Sequence, residues 1–215
     1  NIGYLNHCQI CYSKNLIEVI DLGYQPLADD LIKKTNINRE CIYYPIKINL
    51  CKKCMYVQNN YIVGDSILYN KNYHYRPGIS KSIVNNLKIL AKETIENYDL
   101  KPTDLIIDIG SNDGTLLSQF KYFGCNNVLG IEPTGTYIFH KEKNIKVLND
   151  FFNTKTAEKI YFKYNKAKII TTTNVFAHTN KLGEFIKGIK KIIKKNGFFI
   201  LENHYLLDVI KKNQF

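Results

Sequence analysis

The sequence predicts an α/β fold with a small β-rich module in front of it. Two observations carry this reading. Strand and helix signals alternate from residue 105 to residue 201, and the first 75 residues break into short strand-like runs punctuated by paired cysteines. The expected organisation is a module at 1–75, a linking helix at 76–100 and an α/β domain at 101–215. With 215 residues, 45% hydrophobic and 23% charged, the chain is long enough for a small domain plus most of a medium one. No run approaches the roughly 20 apolar residues of a membrane-spanning helix. The start carries neither a Met nor a basic-then-apolar leader, so the expectation is a cytoplasmic chain taken from a longer one.

In the first part the apolar runs fall at 16–22, 41–50 and 55–61. Residues 43–50 alternate with period two and read as a strand. Pro45, which has no amide proton to donate, places that strand at an edge. From 79 to 98, the apolar residues Ile79, Ile83, Val84, Leu87, Leu90, Ala91, Ile95 and Tyr98 mark one face of a helix, and Pro77-Gly78 is its start signal. Strand signals then fall at 105–109, 127–131, 146–148, 168–173 and 198–201, with helices at 115–123 and 182–193. The latter helix turns Leu182, Phe185, Ile186, Ile189, Ile192 and Ile193 inward and ends at Asn196-Gly197. Such alternation predicts a parallel sheet covered on both faces.

A net charge of +11 raises nucleic-acid binding as a function. Only Arg39 and Arg76 are arginine, however, and the lysines are spread along the chain within a general excess of Lys, Asn, Ile and Tyr. Specific nucleic-acid grooves draw on arginine's planar fork. Nucleic acid is therefore not the expected partner.

Cys8-x-x-Cys11 and Cys51-x-x-Cys54 are the strongest chemical signal of the first part. Each turn sets two thiolates on one side of a tight loop, within reach of one ion about 2.3 Å from each sulfur. Two turns supply the four soft ligands of a closed tetrahedral zinc site. The 39 intervening residues must form strands that bring the knuckles together. A redox pair would sit beside a βαβ pattern, and a disulfide framework belongs to secreted chains. The metal's role would be structural, since so small a module has little core. Cys41 and Cys125 read as ordinary buried thiols. His7 could replace a ligand, but four cysteines already complete the site.

Asp108-Ile109-Gly110-Ser111-Asn112-Asp113-Gly114-Thr115 lies at the carboxyl end of a buried strand, where glycines let the backbone turn sharply and approach a ligand. Glu132, 22 residues after Gly110, ends the next strand and can accept hydrogen bonds from both hydroxyls of a ribose. Asp108 and Asp113 would repel a pyrophosphate but not the ammonium of S-adenosylmethionine, so that cofactor is expected and a nicotinamide dinucleotide is not. Asp150-Phe151-Phe152 follows the third strand, where an adenine could stack and donate its amino group; core packing accounts for Phe152 equally well. Asn174-Val175-Phe176-Ala177-His178 follows the fourth strand at the same edge. That places His178 for chemistry, although a lone histidine is as readily a hydrogen-bonded structural residue.

Taken in order, several segments resemble the S-adenosylmethionine-dependent C-methyltransferases of nucleotide-linked deoxysugars. They are the two cysteine pairs, Asp21-Leu22-Gly23-Tyr24-Gln25-Pro26-Leu27-Ala28, Val57-Gln58, Tyr73-His74-Tyr75, residues 109–117, Gly130-Ile131-Glu132-Pro133, residues 174–178 and Glu202-Asn203-His204-Tyr205. The resemblance implies a zinc-binding domain, a Rossmann-like methyltransferase domain and a C-terminal domain. It also implies a base that removes the proton beside a ketone of the nucleotide sugar, and an enolate that attacks the methyl sulfonium. Such chemistry needs a base of suitable pKa, a donor to the enolate oxygen and in-line placement of the methyl group. The matching positions are His178 and either Tyr73 or Tyr75, the tyrosines projecting towards the cofactor edge. The family pattern continues with a Tyr-x-Glu-His segment and further strands not found before Phe215. The expectation is thus an incomplete sheet in a fragment, or shortened relative, with little activity alone. Two rivals make other predictions. A nucleic-acid methyltransferase docked by its zinc module predicts salt-dependent RNA or DNA binding, and a non-catalytic zinc-ribbon interaction protein predicts no cofactor binding.

Overall fold

The computed structural model describes residues 2–28 and 30–214; Asn1, Asp29 and Phe215, and with them the outer ends of the expected domains, lie outside the described residues. The chain divides into two compact units, Asn1–Tyr75 with Asn180–Leu182, and Arg76–Thr179 with Gly183–Phe215.

The first unit holds β1 (Gly3–Tyr4), β2 (Leu16–Pro26), β3 (Tyr43–Cys51), β4 (Val57–Asn59), β5 (Tyr61–Ile62) and the short helix α1 (Asp65–Leu68). β1 pairs with β5, and β2-β3-β4 form an antiparallel sheet. The strand expected at an edge, β3, is therefore central. It tolerates Pro45 because β4 reaches only Ile48, Asn49 and Leu50; at Pro45 the sole ladder partner is Tyr24 of β2. A register shift between Asp21 and Tyr24, with Gly23 at φ 70°, bends β2 next to that pair.

The second unit contains α2 (Lys81–Asn97), β6 (Ile106–Ile109), α3 (Thr115–Tyr122), β7 (Val128–Ile131), β8 (Lys146–Leu148), α4 (Thr154–Tyr164), β9 (Ala167–Thr173), α5 (Leu182–Ile192), β10 (Ile193–Glu202) and α6 (Leu206–Lys211). Its five strands are all parallel in the order β10-β9-β6-β7-β8. Period-two alternation divides the central strands between two cores. Ile106, Val128 and Ile169 pack with Leu87 and Ala91 of α2 and with Leu116, Leu117 and Phe120 of α3. Ile107, Ile109, Leu129, Ile131 and Ile170 pack with Ala157 and Ile160 of α4 and with Phe185, Ile189 and Ile192 of α5. The result is the expected Rossmann-like sandwich.

Several elements depart from the sequence reading. The stretch 76–100, expected as a link, is an outer layer of the second unit: Leu87 and Ala91 of α2 pack against both the sheet and α3. Ile79 is 71% exposed in the 3-10 turn Pro77–Ile79, and the α-helix begins only after Ser80. Helix α4 gave no apolar period strong enough to read, yet Asn153 caps it by accepting from the Thr156 amide at 3.0 Å. Ile186, expected inward, is 44% exposed, at the margin of the stripe formed by Phe185, Ile189 and Ile192. β10 follows α5 without a loop; a register shift between Ile193 and Phe198 absorbs Asn196-Gly197, and regular pairing resumes at Phe198, where the strand was expected.

Candidate functional site

The strand order reverses between β6 and β9: the chain runs outward through β7 and β8, then crosses back to β9 and β10. In open parallel sheets such a switch point leaves a crevice at the carboxyl ends of the strands. The loops flanking it here are 110–114, after β6, and 174–178, after β9.

Three left-handed residues shape the first loop: Gly110 (φ 71°), Asn112 (φ 49°) and Gly114 (φ 75°). A Cβ on Gly110 would stand 2.4 Å from Val175 Cγ2, so glycine is required both for its φ and for clearance. Gly110→Ala is expected to destabilise the second unit by about 2–3 kcal/mol, read as a lower melting temperature. An unchanged melt would show that the 174–178 loop yields freely.

Five amides of residues 110–115 are used within the chain. Gly110 and Ser111 donate to Ile131 O (2.8 and 3.1 Å), Asn112 to Glu132 Oε2 (2.8 Å), Gly114 to Ser111 O (2.8 Å) and Thr115 to Asp113 Oδ1 (3.1 Å). A phosphate cradle needs such donors free. Arg76 and Lys143 are likewise turned to Asp113, at 3.8 and 3.7 Å. The carboxyl groups next to these loops are Glu132, Asp150 and the enclosed Asp108. Acceptors without phosphate donors fit the ribose diol and ammonium of S-adenosylmethionine, not a pyrophosphate.

The expected cofactor residues fall into two groups. Glu132, 4% exposed, accepts from the Asn112 amide on one oxygen and the Thr134 amide on the other, both at 2.8 Å, which leaves a lone pair on each. Asp108 is buried and accepts from the Thr171 hydroxyl at 2.7 Å. Asp150 and Phe151 are half-buried; Asp150 takes Thr156 Oγ1 at 3.2 Å and Lys159 Nζ at 3.1 Å. Phe152 belongs to the core, edge-on to Phe185 at 5.0 Å. Asn174 is exposed at φ 54°, its amide donating to Glu202 O. The side chains of Ser111 and Asp113 form the second group and are turned inward. Asp113 is fully enclosed and accepts from the Thr115 amide and hydroxyl and from the Gly78 amide. Ser111 Oγ meets His140 Nε2 at 2.9 Å. His140 itself carried no sequence signal.

His178 ends the 3-10 turn Phe176–His178, which Phe176 anchors against Phe185 and Phe199. Solvent reaches the residue, yet the surrounding chain desolvates the ring and electrostatic interaction with His204 adds to the effect; both lower its pKa, so the imidazole is neutral at pH 7 and able to accept a proton. Tyr73 and Tyr75 belong to the first unit. Tyr73 is half-buried against Tyr69 and His74, and Tyr75 is exposed.

Two buried groups give the second unit opposing pH dependences. Burial raises Asp108 to about 7, the Thr171 hydroxyl opposing and Glu132 adding to it. Burial lowers His140 to about 4. Between the ordinary carboxylate value and about pH 7, folded Asp108 keeps a proton that the unfolded chain has lost, so its contribution to stability falls as pH rises. Between about pH 4 and 6.5 the unfolded chain binds a proton that folded His140 refuses, so that contribution rises with pH. Asp108→Asn removes the first effect alone. The variant should therefore gain stability over the parent by up to about 1.4 kcal/mol per pH unit from roughly pH 4 to 7. Parallel stability curves would contradict this.

In the first unit the sulfurs of Cys8, Cys11, Cys51 and Cys54 all lie within 4.8 Å of one another, with Cys8–Cys54 at 3.5 Å and Cys11–Cys51 at 3.6 Å. Tetrahedral bonds of about 2.3 Å would set sulfurs about 3.8 Å apart, so the cluster fits zinc. Each knuckle closes on a left-handed residue just after its second cysteine, Tyr12 (φ 58°) and Met55 (φ 61°). The Cys54 amide, with lesser help from that of Lys53, pulls the Cys51 thiol down to about 6, towards the thiolate a metal takes. Gln58, buried in β4, accepts from the Gln9 amide (2.9 Å) and donates to His7 O (3.0 Å), tying the first knuckle to the strand after the second. Its value as a clamp was not legible from Val57-Gln58. The His7 ring is turned to Asn6 and Tyr12.

The sandwich, its switch-point crevice and the acceptor-lined edge define the class of Rossmann-like, S-adenosylmethionine-dependent methyltransferases. A methyltransferase-domain family model matches residues 84–213, and the chain belongs to that family. A model for a proposed zinc-binding domain matches residues 8–69. The C-methyltransferase NovU of Streptomyces niveus is 23% identical over 212 residues, covering 98% of this chain and 50% of NovU; the chain spans about half the length of that curated relative. A Methanococcus maripaludis protein described as a proposed S-adenosyl-L-methionine-dependent methyltransferase shares the fold, with 16% identity and TM-score 0.50 over 64% of this chain and 69% of its own. Pyrococcus horikoshii PH0226 is similar at 14% identity and TM-score 0.49, over 62% of this chain and 60% of its own. Among the described residues no helix is long and apolar enough to cross a membrane.

Proposed function

We propose that the protein is an S-adenosylmethionine-dependent C-methyltransferase acting on a nucleotide-linked keto-deoxysugar through an enolate. The observation that carries this reading is His178, a neutral imidazole at the carboxyl edge of the sheet that also carries the cofactor acceptors. Carbon beside a ketone attacks a methyl group only after a base has taken its proton, so a carbon acceptor needs such a group. Similarity to a C-methyltransferase across both the cysteine module and the α/β domain supports carbon as the acceptor.

In this reading Glu132 accepts from the ribose hydroxyls, Asp150 from the adenine amino group with Phe151 beside its ring, and the 108–114 loop with Asn174 lines the remainder of the site. The bound cofactor supplies an electrophilic methyl group. His178 takes the proton from the carbon beside the ketone, and the electron pair of that C–H bond becomes the enolate. A hydrogen bond to the enolate oxygen is the role that the sequence resemblance gives to Tyr73 or Tyr75. The new C–C bond leaves a methylated ketone, S-adenosylhomocysteine and a proton on His178. Zinc holds the fold of the first unit and takes no part in the transfer.

The test is transfer of a labelled methyl group to a nucleotide-linked keto-deoxysugar. Turnover by this chain alone is expected to be low, with the label that is transferred found on carbon. His178→Gln should lower kcat by about 10²-fold or more while S-adenosylhomocysteine affinity stays within about threefold. Label on oxygen, or an unchanged rate, would overturn the reading.

A further inference from the structure

Behind the 110–114 loop lies a polar contact that the cofactor chemistry does not use. His140, fully buried, ends the 3-10 helix Gly135–His140, whose start is capped by the Thr134 side chain. Its Nδ1 faces its own helix at Tyr137 O (3.1 Å), and Nε2 faces Ser111 Oγ (2.9 Å). A carbonyl can only accept, so Nδ1 carries the proton; Nε2 then has the lone pair, and the serine hydroxyl donates to it. The ring is closely fitted. A Cβ on Gly130 would stand 2.5 Å from Ser111 Oγ and 2.7 Å from His140 Nε2, and one on Gly114 would stand 3.1 Å from His140 Cδ2. Two glycines, one in β7 and one ending the loop, thus make room for this pair.

The contact fixes the residue between Gly110 and left-handed Asn112, and the Asn112 amide is the group that holds Glu132 Oε2. We propose that His140 is a positioning residue of the cofactor site: through Ser111 it sets the loop conformation that orients the Glu132 carboxylate for the ribose. The inference rests on the S-adenosylmethionine reading of this crevice. Burial keeps the imidazole neutral, as the acceptor role requires, with Lys143 adding to that effect and Asp113 opposing it.

A double-mutant cycle tests it. Ser111→Ala, His140→Phe and the double variant, each melting cooperatively, are titrated with S-adenosylhomocysteine, and exchange of the Asn112 amide proton is followed by NMR without ligand. Each single variant should bind about tenfold more weakly and exchange Asn112 about tenfold faster. The double variant should be no worse than either single, and His140→Gln, whose side-chain oxygen can replace Nε2 as acceptor, should recover most of both losses. Additive effects, or affinity and exchange within twofold of the parent, would overturn the proposal. If the parent protein fails to bind S-adenosylhomocysteine, the cofactor reading falls. The positioning claim falls with it unless Asn112 exchange shows the same non-additive pattern, in which case Ser111–His140 orders the loop for another ligand.

Discussion

Chelating the metal from the cysteine cluster, or replacing Cys51 by Ser, is expected to unfold the first unit while leaving the second folded. The four sulfurs lie within 4.8 Å of one another, and Cys8 and Cys51 are fully buried. Few other apolar groups of this unit are: among the described residues of 2–75, Ile62 and Pro45 are the only other buried apolar side chains. A unit with so little core depends on ligation, and structural zinc contributes on the order of 10 kcal/mol or more. Metal content should fall from about one ion per chain to near none in Cys51→Ser. Residues 1–75 should become protease-sensitive, whereas the second unit, with two cores of its own, should stay resistant. Persistent protection of the first unit in the metal-free protein would show that the strands hold it unaided.

Glu132→Ala should abolish detectable binding of S-adenosylhomocysteine and also lower the melting temperature. The carboxylate is proposed to accept from two ribose hydroxyls; losing two charge-assisted hydrogen bonds of about 1.5 kcal/mol or more each weakens binding by about 10²-fold or more. It also accepts from the Asn112 and Thr134 amides, which the substitution leaves without that acceptor. Stability should therefore fall by about 2–4 kcal/mol. Calorimetry on the folded fraction separates the two effects. Binding within threefold of the parent would remove Glu132 from the cofactor site.

Much of the fold was legible because its signals are local. Both C-x-x-C turns, the five strands and the acid after the second strand follow from spacing and period alone. Illegible elements owed their state to tertiary partners. Helix α4 has a mixed surface whose buried residues, Ala157 and Ile160, acquire meaning only against the sheet. Pro45 looked like an edge marker because sequence does not reveal that β4 stops short of it.

By itself the sequence determined the classes of chemistry present: four thiols that suit zinc, an acidic glycine loop that disfavours pyrophosphate, and a histidine placed after the fourth strand. Composition and spacing are enough for that, since ligand type and charge are properties of residues. Tertiary structure alone decided direction. Ser111 and Asp113 stand in the same loop as Gly110 and Asn112, but their side chains turn to His140 and to Gly78 and Thr115, groups between 2 and 35 residues away in sequence. The physical reason is that a loop with left-handed residues at Gly110, Asn112 and Gly114 sends its side chains to different sides. Burial then makes an inward polar group without a partner costly, and only the packed fold supplies the partner.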